Sequence, residues 1–365
     1  RALALRWLDV EPDIDVVAEA ETGRVALALV ARANPDVIVL DLDMPDMDGL
    51  TALPELLAAR PGVAVLVVST LTRRNAEISL HCLALGAADY VPKPSALGDA
   101  SALSAFRTEL LEKIRAVAQR GPRAGTGAEP PRLAVSGIVA RPACIVVGAS
   151  TGGPRAIMRL FSQLPASVPV QVPVIVVQHM PPIFTTVFAE HLAAIAGCPV
   201  CEAADGEIVR PGVIHVAPGG RHTGLVRRGG EIVFNVHDGP PTNVCRPAVN
   251  VLFETSAAVY GPAVLAVVLT GMGRDGLAGA RRLAAAGAPI IVQDEGTSIV
   301  WGMPGAIARE GLARAVLPLD GIASAISVFM EGAVMTEADF DYLCTFVRAR
   351  SGLALTPEKR YLLES

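Results

Sequence analysis

Cys144-Ile145-Val146-Val147-Gly148-Ala149-Ser150-Thr151-Gly152-Gly153-Pro154 runs from an apolar stretch through a glycine turn into a helix-like segment, 155–164. This order puts Ser150 at the carboxyl end of a buried strand. There the free N–H groups and the dipole of the following helix favour negative charge. Gly148 to Gly152 also read G-x-S-x-G, a spacing in which flanking glycines let a strained turn expose the serine oxygen. A phosphate cradle is the competing chemistry. Gly153 is followed by Pro154 rather than Lys-Ser/Thr, and this stretch has no G-x-G-x-x-G, so neither phosphate motif is met here. A plain tight turn fits the same residues, and other segments must decide.

The 365 residues are enough for two domains with their own cores. A hydrophobic share of 52% with only 4% aromatic residues and 34 Gly describes an α/β protein packed with small side chains. A net charge of −5 without a basic cluster gives no footprint for nucleic acid. No apolar run approaches the length of a membrane span, so membrane insertion is not expected. Six scattered Cys fit a reducing, cytoplasmic setting better than a disulfide framework. Cys198-Pro199-Val200-Cys201 is a lone C-x-x-C, too little for a zinc site. The chain begins with Arg1 and stops mid-pattern at Ser365, and reads as cut at both ends.

Outward from the opening stretch, residues 143–330 alternate strands and helices. Strands are expected at 144–147, 174–177, 213–216, 231–234, 264–269 and 289–292. Helices are expected at 155–164, 184–196, 246–260, 277–286 and 304–309. Alternation of this kind predicts a parallel, doubly wound sheet whose sites lie at the strand carboxyl ends. Val177 is followed by Gln178-His179-Met180-Pro181-Pro182, and Leu269 by Thr270-Gly271-Met272-Gly273-Arg274-Asp275-Gly276. A hydroxyl, an imidazole and a carboxylate thus fall on one rim. In a serine hydrolase His179 would take the Ser150 proton and Asp275 would orient the imidazole. An aspartate between glycines is also an ordinary turn residue, and His191 and His222 read as solvated. The chain order Ser, His, Asp matches none of the three familiar triads. Arg246 is read equally as a carboxylate ligand or a local cap, and Trp301 as a packing corner.

Residues 1–119 alternate similarly. A helix tail over 1–8 precedes strands at 16–20, 36–40, 62–68 and 89–91, with helices at 24–33, 74–85 and 100–118. Asp41, Ser69, Thr70 and Lys93 stand at strand ends, a set able to hold and neutralise a phosphoryl group on Asp41. Residues 120–142, rich in Gly and Pro, form a flexible linker.

Asp41-Leu42-Asp43-Met44-Pro45-Asp46-Met47-Asp48-Gly49, Val68-Ser69-Thr70 and Lys93-Pro94 resemble the response-regulator receiver domain. The resemblance implies a flavodoxin-like fold and phosphorylation of Asp41 by a histidine kinase with Mg²⁺. It also implies an acidic pair that this chain lacks. Asp9, Glu11 and Asp13 are poor substitutes, and Asp41 with the backbone of Asp43 leaves an incomplete metal site.

G-A-S-T-G-G-P, Q-H-M-P-P, T-G-M-G-x-D-G and Q-D-E-G-T-S-x-V-W-G-M-P-G-A together resemble the catalytic domain of the chemotaxis protein-glutamate methylesterases, over 143–330. Receiver, linker and esterase in this order are that family's architecture. The resemblance implies a Rossmann-like domain without cofactor that hydrolyses γ-glutamyl methyl esters on methyl-accepting chemoreceptors and deamidates receptor glutamines. Ser150 becomes the nucleophile, His179 the base, Asp275 the orienting carboxylate, Met272 an oxyanion N–H donor and Thr151 a neighbouring site residue. The unphosphorylated receiver is expected to restrain the esterase. A non-enzymatic receptor adaptor, or a serine esterase or amidase with another substrate, are the alternatives. Residues 335–365, with helix-cap patterns at Thr336 and Thr356, form a short helical tail resembling the start of the chemoreceptor methyltransferase.

Overall fold

The computed structural model describes residues 2–94, 99–118, 141–243 and 245–331. The tail at 335–365 and most of the linker lie outside these residues. The chain divides into two units, Arg1–Thr126 and Gly127–Ser365.

In the first unit three parallel strands, β1 (Val37–Asp41), β2 (Ala64–Thr70) and β3 (Asp89–Lys93), lie side by side in that order. Helices α1 (Ala2–Leu8), α2 (Gly23–Ala33), α3 (Gly49–Ala59), α4 (Arg73–Leu85) and α5 (Ala100–Ala118) accompany them. Thr22, Asp48 and Thr72 cap α2, α3 and α4 by accepting from N–H groups of the first turn. β2 is the central strand, and Val65, Leu66 and Val67 are fully buried. Residues 16–20, expected as a strand, take no strand structure. β propensity cannot hold a strand without a ladder partner, and Val17 is left 53% exposed. Asp89 is 2% exposed and pairs with Lys113 of α5 (Nζ to Oδ2 3.1 Å), whose ammonium also donates to the Tyr90 carbonyl at 2.6 Å.

The second unit holds a seven-stranded, wholly parallel sheet among the described residues. Its strands are β4 (Cys144–Ala149), β5 (Val174–Gln178), β6 (Val200–Glu202), β7 (Ile214–Val216), β10 (Val264–Val268), β11 (Ile290–Gln293) and β12 (Ala315–Leu317). The order is β12-β11-β10-β4-β5-β7-β6. An antiparallel hairpin, β8 (His222–Arg228) and β9 (Glu231–His237), stands apart from it. The helices are α6 (Gly153–Gln163), α7 (Ser167–Gln171), α8 (Pro182–Ala196), α9 (Val249–Tyr260), α10 (Leu277–Ala285), α11 (Met303–Arg309) and α12 (Leu319–Glu331). Every residue of β4, β5, β10 and β11 is buried, as expected where helices cover both faces of a parallel sheet.

After β4 the chain builds outward through β5, then returns to lay β10 on the other side of β4. β4 is therefore where the winding reverses, and ligand crevices open at such points outside the strand carboxyl ends. Ala149 pairs in register with Gln178, and Val268 with Gly148, which brings the loops bearing Ser150, His179 and Asp275 to one end of adjacent strands. Helix α9 begins at Val249, three residues later than expected. His222, expected in solvent, is buried in β8, its Nε2 3.0 Å from the Pro240 carbonyl. The hairpin shelters it. No described helix is long and apolar enough to cross a membrane.

Candidate active site

Ser150 follows β4 directly and closes a turn into α6, with the Gly153 N–H donating to the Ser150 carbonyl at 2.7 Å. The turn depends on Gly152, whose φ of +73° is left-handed and whose hydrogen stands where a Cβ would overlap Ile299. Gln178, 2% exposed at the end of β5, donates from Nε2 to the Ser150 carbonyl at 2.9 Å and to the His179 carbonyl at 3.2 Å. One amide thereby ties the serine turn to the histidine turn.

His179 Nδ1 stands 3.1 Å from Ser150 Oγ, and Nε2 stands 2.9 Å from Asp275 Oδ2. Asp275 is 2% exposed and has more than one donor. It accepts from the N–H groups of Val249 (2.6 Å), Asn250 (3.2 Å) and Gly276 (3.0 Å). Ala248, at the N-cap of α9, offers no side chain for capping, so Asp275 caps α9 from a distant loop. An anion is stabilised at that dipole end. Burial alone would raise the Asp275 pKa, but the bond and charge of His179 and the two helix N–H groups outweigh it and hold it below its ordinary value. Asp275 is thus a fixed carboxylate, which in the neutral imidazole places the proton on Nε2 and leaves the Nδ1 lone pair facing Ser150. For His179 burial is the largest influence and acts downward, yet bonds and charges from Asp275 and Cys245 carry its pKa up to about 9.

Gly271 lies against the serine, since a Cβ there would come within 3.0 Å of Ser150 Cβ. The next residue, Met272, has an N–H with no protein acceptor among the described residues. Thr151 is buried beside them, its Oγ1 without a partner among those residues. Gly271-Met272-Gly273-Arg274-Asp275-Gly276 also has the G-x-G-x-x-G spacing, between β10 and α10. Here the Gly271 peptide groups are knitted to Val300, Gly302 and Met303, while Asp275 turns to α9. Sequence reasoning missed Gln178, Asn243 and Cys245. Asn243 Nδ2 lies 3.5 Å from Asp275 Oδ1, and Cys245 Sγ 3.4 Å from His179 Nδ1. Arg246 acts as a local tie, donating to the Asp238 and Gly239 carbonyls. Trp301 packs at a corner, its Nε1 bonded to the Gln293 carbonyl.

In the first unit Lys93 Nζ donates to both Asp41 oxygens, at 2.7 and 2.6 Å. Asn75, unnoticed in the sequence, links Asp43 Oδ2 (3.3 Å) to Thr70 Oγ1 (2.5 Å). Ser69, one residue before Thr70 on β2, points to the opposite face and is buried against Ser79 Oγ at 2.9 Å. Period-two alternation dictates that split. Among the described residues no third acidic, His or Cys side chain joins Asp41 and Asp43 in a metal-ligand group. Glu11 and Asp13 are engaged by Arg107 and Arg115 at 2.6–2.9 Å. Magnesium takes near-octahedral oxygen coordination, so this donor set does not fit the ion.

Residues 145–326 match the CheB methylesterase family, and residues 1–103 match the response regulator receiver domain. A protein-glutamate methylesterase/protein-glutamine glutaminase of Rhodopseudomonas palustris (strain BisB5) is 47% identical over 344 residues, covering 88% of this chain and 89% of its own. Its namesake in Nitrobacter hamburgensis is also 47% identical, over 340 residues, with the same coverage. The crystal structure of the Thermotoga maritima CheB methylesterase catalytic domain is 39% identical, with a TM-score of 0.49, and covers 51% of this chain and 97% of that one. A receiver followed by a methylesterase domain, held at this identity along nearly the whole length, settles the family: the chain belongs to the receiver-bearing CheB methylesterases.

Proposed function

We propose that the chain hydrolyses glutamate γ-methyl esters on methyl-accepting chemoreceptors, releasing methanol, and deamidates receptor glutamines, as adaptation in bacterial chemotaxis requires. The observation that carries this is the continuous relay Ser150 Oγ, His179 Nδ1, His179 Nε2, Asp275 Oδ2, with links of 3.1 and 2.9 Å. The names of the full-length relatives supply the ester and the amide.

Ser150 Oγ attacks the γ-carbonyl carbon while its proton passes to His179 Nδ1. Asp275 stabilises the resulting imidazolium through Nε2. The Met272 N–H, free of protein acceptors and adjacent to Gly271 beside the serine, donates to the tetrahedral oxyanion. Nδ1 returns the proton to the departing methoxide, so methanol leaves. Water then attacks the acyl-serine, with His179 again as base, and free glutamate is released. Glutamine follows the same course with ammonia as leaving group. Thr151 shapes the wall beside the serine.

Asp41 is the phosphoryl acceptor in this reading, and a chemotaxis histidine kinase the donor. Lys93 neutralises the added charge, and Thr70, tied to Asp43 through Asn75, supplies the hydroxyl. Phosphorylation of the receiver regulates the esterase. The residues described do not complete the magnesium site that phosphorylation of Asp41 would use.

A fluorophosphonate probe followed by peptide mass spectrometry tests the nucleophile. Adduct confined to the Ser150 peptide, and lost in Asp275→Asn, is expected. A chain that takes up no probe is an adaptor rather than a hydrolase.

A further inference from the structure

Nδ1 of His179 faces two side chains, not one. Ser150 Oγ is 3.1 Å away and Cys245 Sγ 3.4 Å away. Ester hydrolysis requires only the first. Cys245 is half-buried and its sulfur is free of any disulfide. His179, Cys245 and Asp275 moreover form a group whose potential ligand atoms lie within 4.8 Å of one another.

Zinc-class cations bind thiolate at about 2.3 Å and imidazole at about 2.0–2.1 Å in tetrahedral sites, which sets the sulfur and nitrogen about 3.5 Å apart. The observed 3.4 Å separation meets that spacing without rearrangement. Oxygen ligands at about 2.0–2.2 Å put N and O about 3.4 Å apart, close to the 3.1 Å between Nδ1 and Ser150 Oγ. The outer partner is also in place. Ligating histidines usually donate their second N–H to a carboxylate, which fixes the ring and raises its basicity, and Nε2 meets Asp275 at 2.9 Å.

We infer that Cys245 Sγ and His179 Nδ1, with Ser150 Oγ beside them and Asp275 behind the ring, form a site for a soft divalent cation of the zinc class that occludes the esterase. Binding forms a metal–sulfur and a metal–nitrogen bond. The thiol proton, and any proton on Nδ1, leave to solvent. The occlusion rests on the proposed esterase mechanism; the binding does not. Cys201, Glu207 and His215 make a second group of one Cys, one His and one carboxylate. There Cys201 is exposed, so this group serves as the control.

The experiment uses the full chain with two readouts. Co²⁺ alone is titrated and its thiolate charge-transfer absorption followed, and Zn²⁺ is titrated into the methanol-release assay with EDTA reversal. The expected absorption appears in the chain and in Cys201→Ala and is missing in Cys245→Ala. Half-inhibition by Zn²⁺ should need at least about tenfold more metal in Cys245→Ala, since loss of even an outer-shell partner costs that much. Absorption that survives Cys245→Ala, or is never seen, overturns the site. Absorption that depends on Cys245 in a chain without esterase activity upholds the site while the hydrolase reading falls.

Discussion

Asp275→Asn is the perturbation that the structure reads most fully. The carboxylate orients His179 at 2.9 Å and caps α9 through the N–H groups of Val249 and Asn250. An amide of equal size keeps an oxygen acceptor but loses the charge. Buried at 2% exposure, that charge is poorly screened where the imidazolium forms. Loss of a buried, hydrogen-bonded charge partner costs about 3–5 kcal/mol. At about 1.36 kcal/mol per tenfold, kcat should fall by roughly 10²–10⁴. The upper end is the fall recorded for the equivalent change in the well-known serine protease triad. Weakened capping should remove a further ~0.5–2 kcal/mol of fold stability. Steady-state methanol release, with thermal unfolding of the same samples, measures both. The midpoint of the pH–rate profile should also fall, because Asp275 helps to hold the His179 pKa up at about 9. A variant within tenfold of the parent kcat, with an unmoved midpoint, would refute the relay.

Further outcomes follow from the same contacts. With His179 raised to about 9, kcat/KM should climb about tenfold per unit between pH 7 and 9 as the base loses its proton, and Cys245→Ala should move that limb to lower pH; a flat profile contradicts the raised pKa, and an unmoved limb in the variant contradicts the bond to Cys245. The same raised pKa contributes stability present in full below about pH 6.5 and lost as pH rises through 9, a slope that chemical denaturation of His179→Gln should lack. Gly152→Ala, forced into φ +73° and onto Ile299, should cost about 1–3 kcal/mol, seen as a lower Tm of the second unit. Lys113→Met leaves Asp89, 2% exposed, without its cation and should destabilise the first unit by about 3–5 kcal/mol; an unchanged receiver transition in calorimetry would show that the pair holds nothing.

What the sequence disclosed was periodic and local. The apolar run 144–147 became β4, and the turn after it put Ser150 at the strand end. His179 follows β5 and Asp275 follows β10, so strand-end position alone collected the relay. What stayed hidden depends on segments meeting in space. Gln178 reads as the last letter of a strand, yet its amide ties two turns together. Asp275 looks like a turn residue between glycines, and only the fold shows it capping α9. Cys245 lies 66 residues from His179, and its spacing signals nothing. The strand expected at 16–20 shows the limit of propensity, since strand formation is a property of pairs. Ser69 shows a signal that was present and unread: adjacent strand residues face opposite ways, so it and Thr70 could not both serve one site.

The central claim is serine-dependent hydrolysis of a receptor methyl ester. Methanol release from methylated chemoreceptor, measured with and without a phosphodonor for the full chain and for Ser150→Ala, tests it most directly. Release by the chain that is abolished in Ser150→Ala is the predicted result. Equal release by both proteins, or none from either under both conditions, contradicts it.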